Sequence, residues 1–202
     1  MTSVDRLDPA DAMALDEFYD VYARSLNRDF DQPYTAAELA VDLVADDYNL
    51  PIGLIGRDDA GEAVGGAWAE LPQKDNLGFA YAEVFVIPER RREGHGTLLV
   101  EALVDACREA GRSTIMGEAI WGVDDPEAPA RHFAEQLGFT LDIMDAHREL
   151  LLPTNLPKLT IDPAYEIRGW RGACPDDLVN GYADVRRLMV QEAPSGDAGL
   201  EN

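Results

Sequence analysis

The run Val84-Phe85-Val86-Ile87-Pro88-Glu89-Arg90-Arg91-Arg92-Glu93-Gly94-His95-Gly96-Thr97 decides how the chain is read. Its first four residues are β-branched or aromatic, the composition of a strand. Pro88 stops that strand, because it has no N–H to give to a ladder. The glycines at 94 and 96 strip side chains from the turn and let a ligand approach the backbone amides. Beyond them Leu99, Leu103, Ala106 and Ala110 recur at helical spacing, so a helix is expected over 96–110. Gly111 is placed to end it, and Arg108 and Arg112 suit the negative helix end. The first turn of such a helix leaves amides without internal partners and carries the positive end of the dipole. Strand, glycine turn and helix start together make an anion site suited to a pyrophosphate.

The spacing excludes two common phosphate sites. It is not G-x-G-x-x-G, and no Lys-Ser/Thr follows as in a P-loop. Working outward, a short strand is expected at 4–7 and a helix from about 10 to 27, with Phe18, Val21 and Tyr22 on its apolar face. Thr35 caps a second helix, with Glu38 three residues on completing a capping box. Strands are expected at 50–57, 62–71 and 77–87, the first two joined by the turn Asp58-Asp59-Ala60-Gly61. After the helix at 96–110 come a strand at 114–119, a helix from Asp125-Pro126 to Leu137, and strands at 139–143 and 147–152. Strands and helices mix without strict alternation, so the fold class is α/β (α+β) with a mixed sheet, not a doubly wound parallel one.

Composition bounds the partners. The 202 residues hold 39 acidic and 17 basic side chains, a formal net charge of -22, with 46% hydrophobic residues, enough for a core. Such a charge argues against nonspecific binding to nucleic acid or an anionic membrane surface. The charge is uneven. Residues 1–62 carry 15 acids and 4 bases, whereas residues 88–112 carry 5 of each. Arg90, Arg91 and Arg92 sit in that neutral stretch, where an anion would be held. No apolar run is long enough to span a membrane, and the acidic N-terminus is no leader, so a cytoplasmic location is expected. Cys107 and Cys174 are far apart, and His95, His132 and His147 are separated, so no metal site is expected.

The spacing Arg91-x-x-Gly94-x-Gly96, after a strand ending Val-x-Pro, resembles the acyl-CoA motif of the GNAT N-acetyltransferase superfamily. The run Arg131-His132-Phe133-Ala134-Glu135-Gln136-Leu137-Gly138-Phe139 is similar to that family's second motif, a helix ending in Gly-Phe. The resemblance covers about three quarters of the chain. It implies a mostly antiparallel central sheet with helices on both faces. It also implies acetyl-CoA, or another acyl-CoA, as co-substrate. Backbone amides of Arg92, Glu93, Gly94, His95, Gly96 and Thr97 would hold the pyrophosphate, with Arg91 buttressing the turn. The pantetheine arm would lie beside residues 84–86, splayed from 114–119, and backbone at Phe85 or Val86 would bond the acyl carbonyl.

The second motif departs from the family at two positions. Ala134 stands where the family often has a Tyr that protonates the leaving thiolate, and Glu127 stands where it often has a cofactor-contacting Asn. Direct attack by an amine also needs a base. Glu83 is the candidate, with Tyr81 as an alternative acid. Strand alternation puts Tyr81, Glu83 and Phe85 on one face and Ala82, Val84 and Val86 on the other. His132 reads as solvated, Cys107 as core, and His95 as acting through its backbone.

Residues 153–164 hold three prolines and read as a linker. Beyond it Tyr165-Glu166-Ile167-Arg168-Gly169-Trp170 precedes Tyr182-Ala183-Asp184-Val185-Arg186-Arg187. The N-terminal Val4-Asp5-Arg6-Leu7 likewise precedes Tyr19-Asp20-Val21-Tyr22-Ala23-Arg24. This weak repeat resembles the opening of a second GNAT domain, as in tandem, mycothiol-synthase-like proteins of the superfamily. The expected organisation is thus an acyl-CoA-binding domain at 1–152, a linker at 153–164 and a strand–helix arm at 165–202. The arm would dock on a second GNAT domain or the other subunit of a homodimer. The expected function is N-acyl transfer to a primary amine of a small molecule or peptide, cationic in view of the acidic surroundings. The alternative is a non-catalytic acetyl-CoA-binding domain that supports a second, active one.

Overall fold

The computed structural model describes residues 3–26, 33–148, 150–155, 160 and 162–192. The chain divides into two compact units, Met1–Phe139 and Thr140–Asn202. The first holds β1 (Ser3–Arg6), α1 (Ala12–Ser25), α2 (Ala36–Asp42), β2 (Asn49–Arg57), β3 (Ala63–Pro72), β4 (Phe79–Val86), a 3-10 turn at Pro88–Arg90, α3 (His95–Glu109), β5 (Thr114–Met116) and α4 (Pro129–Gln136). The strands lie in the order β1-β2-β3-β4-β5. The first three pairings are antiparallel and β4–β5 is parallel. This is the mixed, mostly antiparallel sheet that was expected.

Alternation along the central strands sorts the core into two layers. Ile52, Leu54, Ala67, Ala69, Leu71 and Ala80 pack against Leu99, Leu103 and Cys107 of α3. Ile55 and Trp68, pointing the other way, pack with Phe18 and Tyr22 of α1 and Leu39 of α2. Helices therefore cover both faces. Phe18 is fully buried, which stabilises the fold by about 2–3 kcal/mol. Cys107 is core, as expected, and burial pushes its thiol pKa up.

The helix ends follow their local chemistry. Asp11 caps α1, its Oδ1 accepting from the amides of Met13 and Ala14 at 3.0 and 3.3 Å. The capping box of α2 is present: the Glu38 amide donates to Thr35 Oγ1 at 3.3 Å, and the Thr35 amide donates to Glu38 Oε2 at 2.8 Å. α3 closes on Gly111 in a Schellman arrangement, with Arg112 N–H donating to the Cys107 carbonyl and Gly111 N–H to the Arg108 carbonyl, both at 2.9 Å.

The later elements depart from expectation. β5 has three residues, not six. The helix expected from Asp125 starts only at Pro129, because the Asp125 side chain accepts from the Glu127 amide at 3.0 Å and closes a separate turn. No strand forms among the described residues of 139–143 and 147–152. Leu141, Ile143, Met144, Leu150, Leu151 and Leu152 are exposed instead. Alternation fixes a strand only where there is a ladder to join, and the link Met144-Asp145-Ala146 lacks the Gly or Asn that a tight hairpin needs.

In the second unit, residues 165–170 form no strand either, but α5 (Val179–Glu192) forms as a helix. The Trp170 ring meets Tyr182 edge-on at 5.5 Å, and Arg168 pairs with Asp177 at 2.8 Å. Residues 156–159 and 161 of the expected linker, residue 27 at the expected end of the first helix, and 193–202 of the expected arm lie outside the described residues.

Candidate active site

β4 carries the site. Its partners on β3 include Gly65↔Val86, Gly66↔Phe85, Trp68↔Glu83 and Glu70↔Tyr81. The Ile87 amide donates to the Val64 carbonyl at 3.0 Å, one step further along the same register. Hydrogen-bonded pairs alternate along an antiparallel ladder, so the backbone groups of Phe85, Glu83 and Tyr81 also face β3. Those of Ala82, Val84 and Val86 face the other way. The Thr114 amide confirms the parity by donating to the Gly78 carbonyl on that side at 3.0 Å. The register corrects one expectation. Phe85 backbone is committed to β3, so only Val84 and Val86 offer hydrogen-bonding groups to the opposite edge.

That edge is open. β4 pairs with β5 only as far as Tyr81↔Met116. A Cβ on Gly117 would lie 2.8 Å from the Ala82 carbonyl oxygen, so the two chains still touch there. From Glu83 to Val86 no β5 residue is paired, because β5 ends at Met116.

The turn that follows is held from behind. Arg91 Nε donates to the Val86 carbonyl at 2.9 Å, and its NH2 donates to the Ser25 carbonyl at 2.7 Å, tying the turn to β4 and to the end of α1. Arg90 is engaged with Asp58 at 2.6 Å and Glu93 at 2.9 Å. His95 is buried, with Nε2 3.2 Å from Glu93 Oε2. Arg92 alone of the three arginines has no ion pair or hydrogen bond among the described residues, and it is exposed. The backbone takes positive φ at Arg92 (68°) and at Gly94 (90°), which turns the chain into α3. The first α3 amide bonded back to the turn is that of Leu98, to the Gly94 carbonyl at 3.2 Å. The amides of His95, Gly96 and Thr97 before it form the first helical turn.

The two glycines do different work. A Cβ on Gly94 would meet nothing within 4 Å, so open space lies over the turn. A Cβ on Gly96 would come 3.0 Å from Phe133 Cζ, so Gly96 lets α3 pack on α4. The two sequence motifs thus meet in space. Ala134 is half-buried and supplies no proton, and Glu127 is exposed.

Glu83 and Tyr81 share the α1 side of the sheet, as alternation required, and Tyr81 is exposed. Glu83 keeps an exposed outer edge, yet the surrounding protein is dense enough to strip much of its hydration. That desolvation, reinforced by the Glu118 and Glu70 carboxylates, raises its pKa above the ordinary carboxylate value. Burial likewise raises the pKa of Tyr81, helped by Asp75. Around Glu83 lie residues that the sequence reading did not single out. Trp68 faces it across the ladder. Tyr22 and Tyr34 stand over Trp68 with ring centroids at 5.7 Å each, and Tyr22 Oη accepts from the Tyr34 amide at 3.3 Å. Period-two alternation on β3 would have found Trp68 and Glu70. Tyr34 has no such signal.

Among the described residues no group of three or more His, Cys, Asp or Glu is arranged to hold a metal ion, and no helix is long and apolar enough to cross a membrane.

Residues 15–139 match the model of the acetyltransferase (GNAT) family. No curated protein matches the chain. Solved structures do. An aminoglycoside acetyltransferase from an uncultured soil metagenomic sample has a TM-score of 0.56 at 22% identity, over 75% of this chain and 99% of that one. A ribosomal-protein alanine N-acetyltransferase from Escherichia coli has 0.53 at 21% identity, over 71% and 80%. A tandem GNAT protein from the clavulanic acid biosynthesis pathway has 0.56 at 23% identity, over 68% of this chain and 43% of that one. At these identities the likeness is one of fold.

Proposed function

The chain belongs to the GNAT acetyltransferase family, and from that premise we propose that it is an acyl-CoA-dependent N-acyltransferase, with acetyl-CoA as donor and a primary amine as acceptor. The observation that carries this reading is the β4 edge at Val84 and Val86, unpaired by β5, running directly into a turn with open space over Gly94. The residues fit the donor. Amides of the 92–97 turn and the unpaired Arg92 meet the pyrophosphate, while Arg91 holds the turn from behind. The donor supplies an activated acyl thioester.

The rest is the protein's part. The Val86 carbonyl is taken by Arg91, which leaves the Val86 N–H to bond and polarise the acyl oxygen. Val84 backbone aligns the pantetheine arm. Glu83, directly or through water, takes the proton that the amine gives up as its nitrogen bonds to the acyl carbon. A raised pKa makes Glu83 a stronger base than an ordinary carboxylate. Tyr81 or water protonates the departing sulfur, since Ala134 cannot. The acidic setting of Glu83 supports a cationic acceptor, and several solved structures of similar fold are aminoglycoside acetyltransferases.

Ala134 and Glu127 favour a second reading, in which this domain binds acetyl-CoA without catalysing. The arm at 165–202, with α5 as its helix, would then be the start of a second GNAT domain. Similarity to a tandem GNAT protein is consistent with that organisation. Calorimetry with acetyl-CoA combined with thiol release over an amine panel separates the readings. Binding with amine-dependent thiol release supports the enzyme. Binding without it supports the second reading, and absence of binding removes both.

A further inference from the structure

Arg92 is the strained point of the turn between β4 and α3. Its φ of 68° lies in the left-handed region, which is costly for a residue with a Cβ and persists only where neighbouring contacts hold it. The residues on either side supply such contacts. Arg90 Nε donates to Glu93 Oε2 at 2.9 Å, closing a clip across Arg92. His95 Nε2 lies 3.2 Å from the same oxygen. The clip also keeps the Glu93 carboxylate partnered within a turn that is to receive an anion. Arg90, helped by His95, holds the Glu93 carboxyl below its ordinary pKa.

This clip is anchored from another part of the sheet. Arg90 NH1 donates to Asp58 Oδ2 at 2.6 Å, across 32 residues of sequence. Asp58 follows β2 and opens the turn into β3. Its Oδ1 accepts from the amides of Ala60 and Glu62 at 2.9 and 3.0 Å. Its own amide donates to the Glu62 carbonyl at 2.9 Å. These bonds fix the carboxylate at the end of the β2–β3 hairpin and leave Oδ2 for Arg90. The Asp58 side chain is only 14% exposed, so the charged pair is partly shielded from solvent.

We propose that Asp58 is a positioning residue for donor binding: through Arg90 it holds the strained conformation at Arg92 before acyl-CoA arrives. The proposal rests on the 92–97 turn receiving the pyrophosphate. Without the anchor the clip is free to move, and the empty turn relaxes out of the left-handed region. Donor binding must then restore that conformation, and the lost preorganisation is read as lost affinity.

The test uses the full chain with Asp58→Asn, Arg90→Met and the double variant. The Asn side-chain oxygen can still accept from the Ala60 and Glu62 amides, while its NH2 cannot accept from Arg90. Calorimetry with acetyl-CoA is expected to show Asp58→Asn about tenfold weaker than the wild type, the factor that one released strained residue forfeits. The double variant is expected to bind as Arg90→Met does, because both changes cut one chain of contacts. In the free protein, 15N relaxation is expected to show new motion at the amides of residues 91–94 and none at Ala60 and Glu62. A merely structural role would loosen the hairpin as well. Unchanged affinity in Asp58→Asn, losses that multiply in the double variant, a turn that stays rigid, or motion that spreads to Ala60 and Glu62 overturns the proposal. A wild type that binds no acetyl-CoA refutes the donor reading itself and takes this role with it, an outcome distinct from wild-type binding that Asp58→Asn leaves intact.

Discussion

Gly94 offers a clean separation of stability from binding. Its backbone sits at φ 90° and ψ −5°, where a residue with a Cβ is strained. No heavy atom lies within 4 Å of the Cβ position, so replacement adds strain without a clash. Gly94→Ala should therefore cost about 1–2 kcal/mol, or roughly 2–8 °C in melting temperature. Gly94→Glu should cost much the same, since its side chain also enters open space. The two variants diverge in binding. A single negative charge about 6 Å from a doubly charged pyrophosphate, at an effective dielectric of about 60, costs about 2 kcal/mol, roughly a thirtyfold loss of affinity. Sterics in the turn add to this. Calorimetry with acetyl-CoA, beside thermal denaturation of the same samples, should show Gly94→Ala weakened modestly and Gly94→Glu by at least thirtyfold at matched stability. A folded Gly94→Glu that binds as tightly as the wild type would refute the assignment of the turn to the donor.

Two further outcomes follow from the same geometry. Arg91→Met removes hydrogen bonds to the Val86 and Ser25 carbonyls. At about 1 kcal/mol each for a partly solvated arginine, unfolding in urea should show a loss of about 2 kcal/mol, with weaker acetyl-CoA binding although the guanidinium faces away from the donor; unchanged stability would contradict the buttress. Glu83 has a folded pKa above its ordinary value of 4.5. A raised carboxylate pKa contributes stability that is full below the unfolded value and is lost as pH rises through the folded value. Glu83→Gln should therefore be more stable than the wild type at pH 7, with the gap closing below about pH 4.5, while amine-dependent thiol release falls about a hundredfold or more. A variant that is less stable at pH 7 would show that desolvation does not govern Glu83.

The strand–turn–helix was legible because each part has a local cause. β-branched residues make β4, Pro88 ends it, and the Schellman close at Gly111 ends α3. Alternation placed Glu83 with Tyr81 and Phe85 on the correct side. It did not reveal that Phe85 backbone is spent on Gly66, since that depends on which pairs of the β3–β4 ladder are hydrogen-bonded. Tyr34 was hidden because it reaches Trp68 from a loop, where tertiary packing and not period decides position. The strands expected at 139–143 and 147–152 failed for the opposite reason. Their period is local, but a strand is a property of a pair, and no ladder partner exists for them among the described residues. Arg91 was assigned as a buttress by resemblance, and its two carbonyl contacts supply the physical content of that role.

The central claim is that acyl-CoA lies along the open edge of β4 and on the turn at 92–97. Backbone amide chemical shifts of the 15N-labelled protein during titration with acetyl-CoA test it residue by residue. The largest changes are expected at Glu93, Gly94, His95, Gly96 and Thr97, with a second group at Val84 and Val86 and little at Phe85, whose amide faces β3. No change in the turn, or changes centred on other elements, would contradict it.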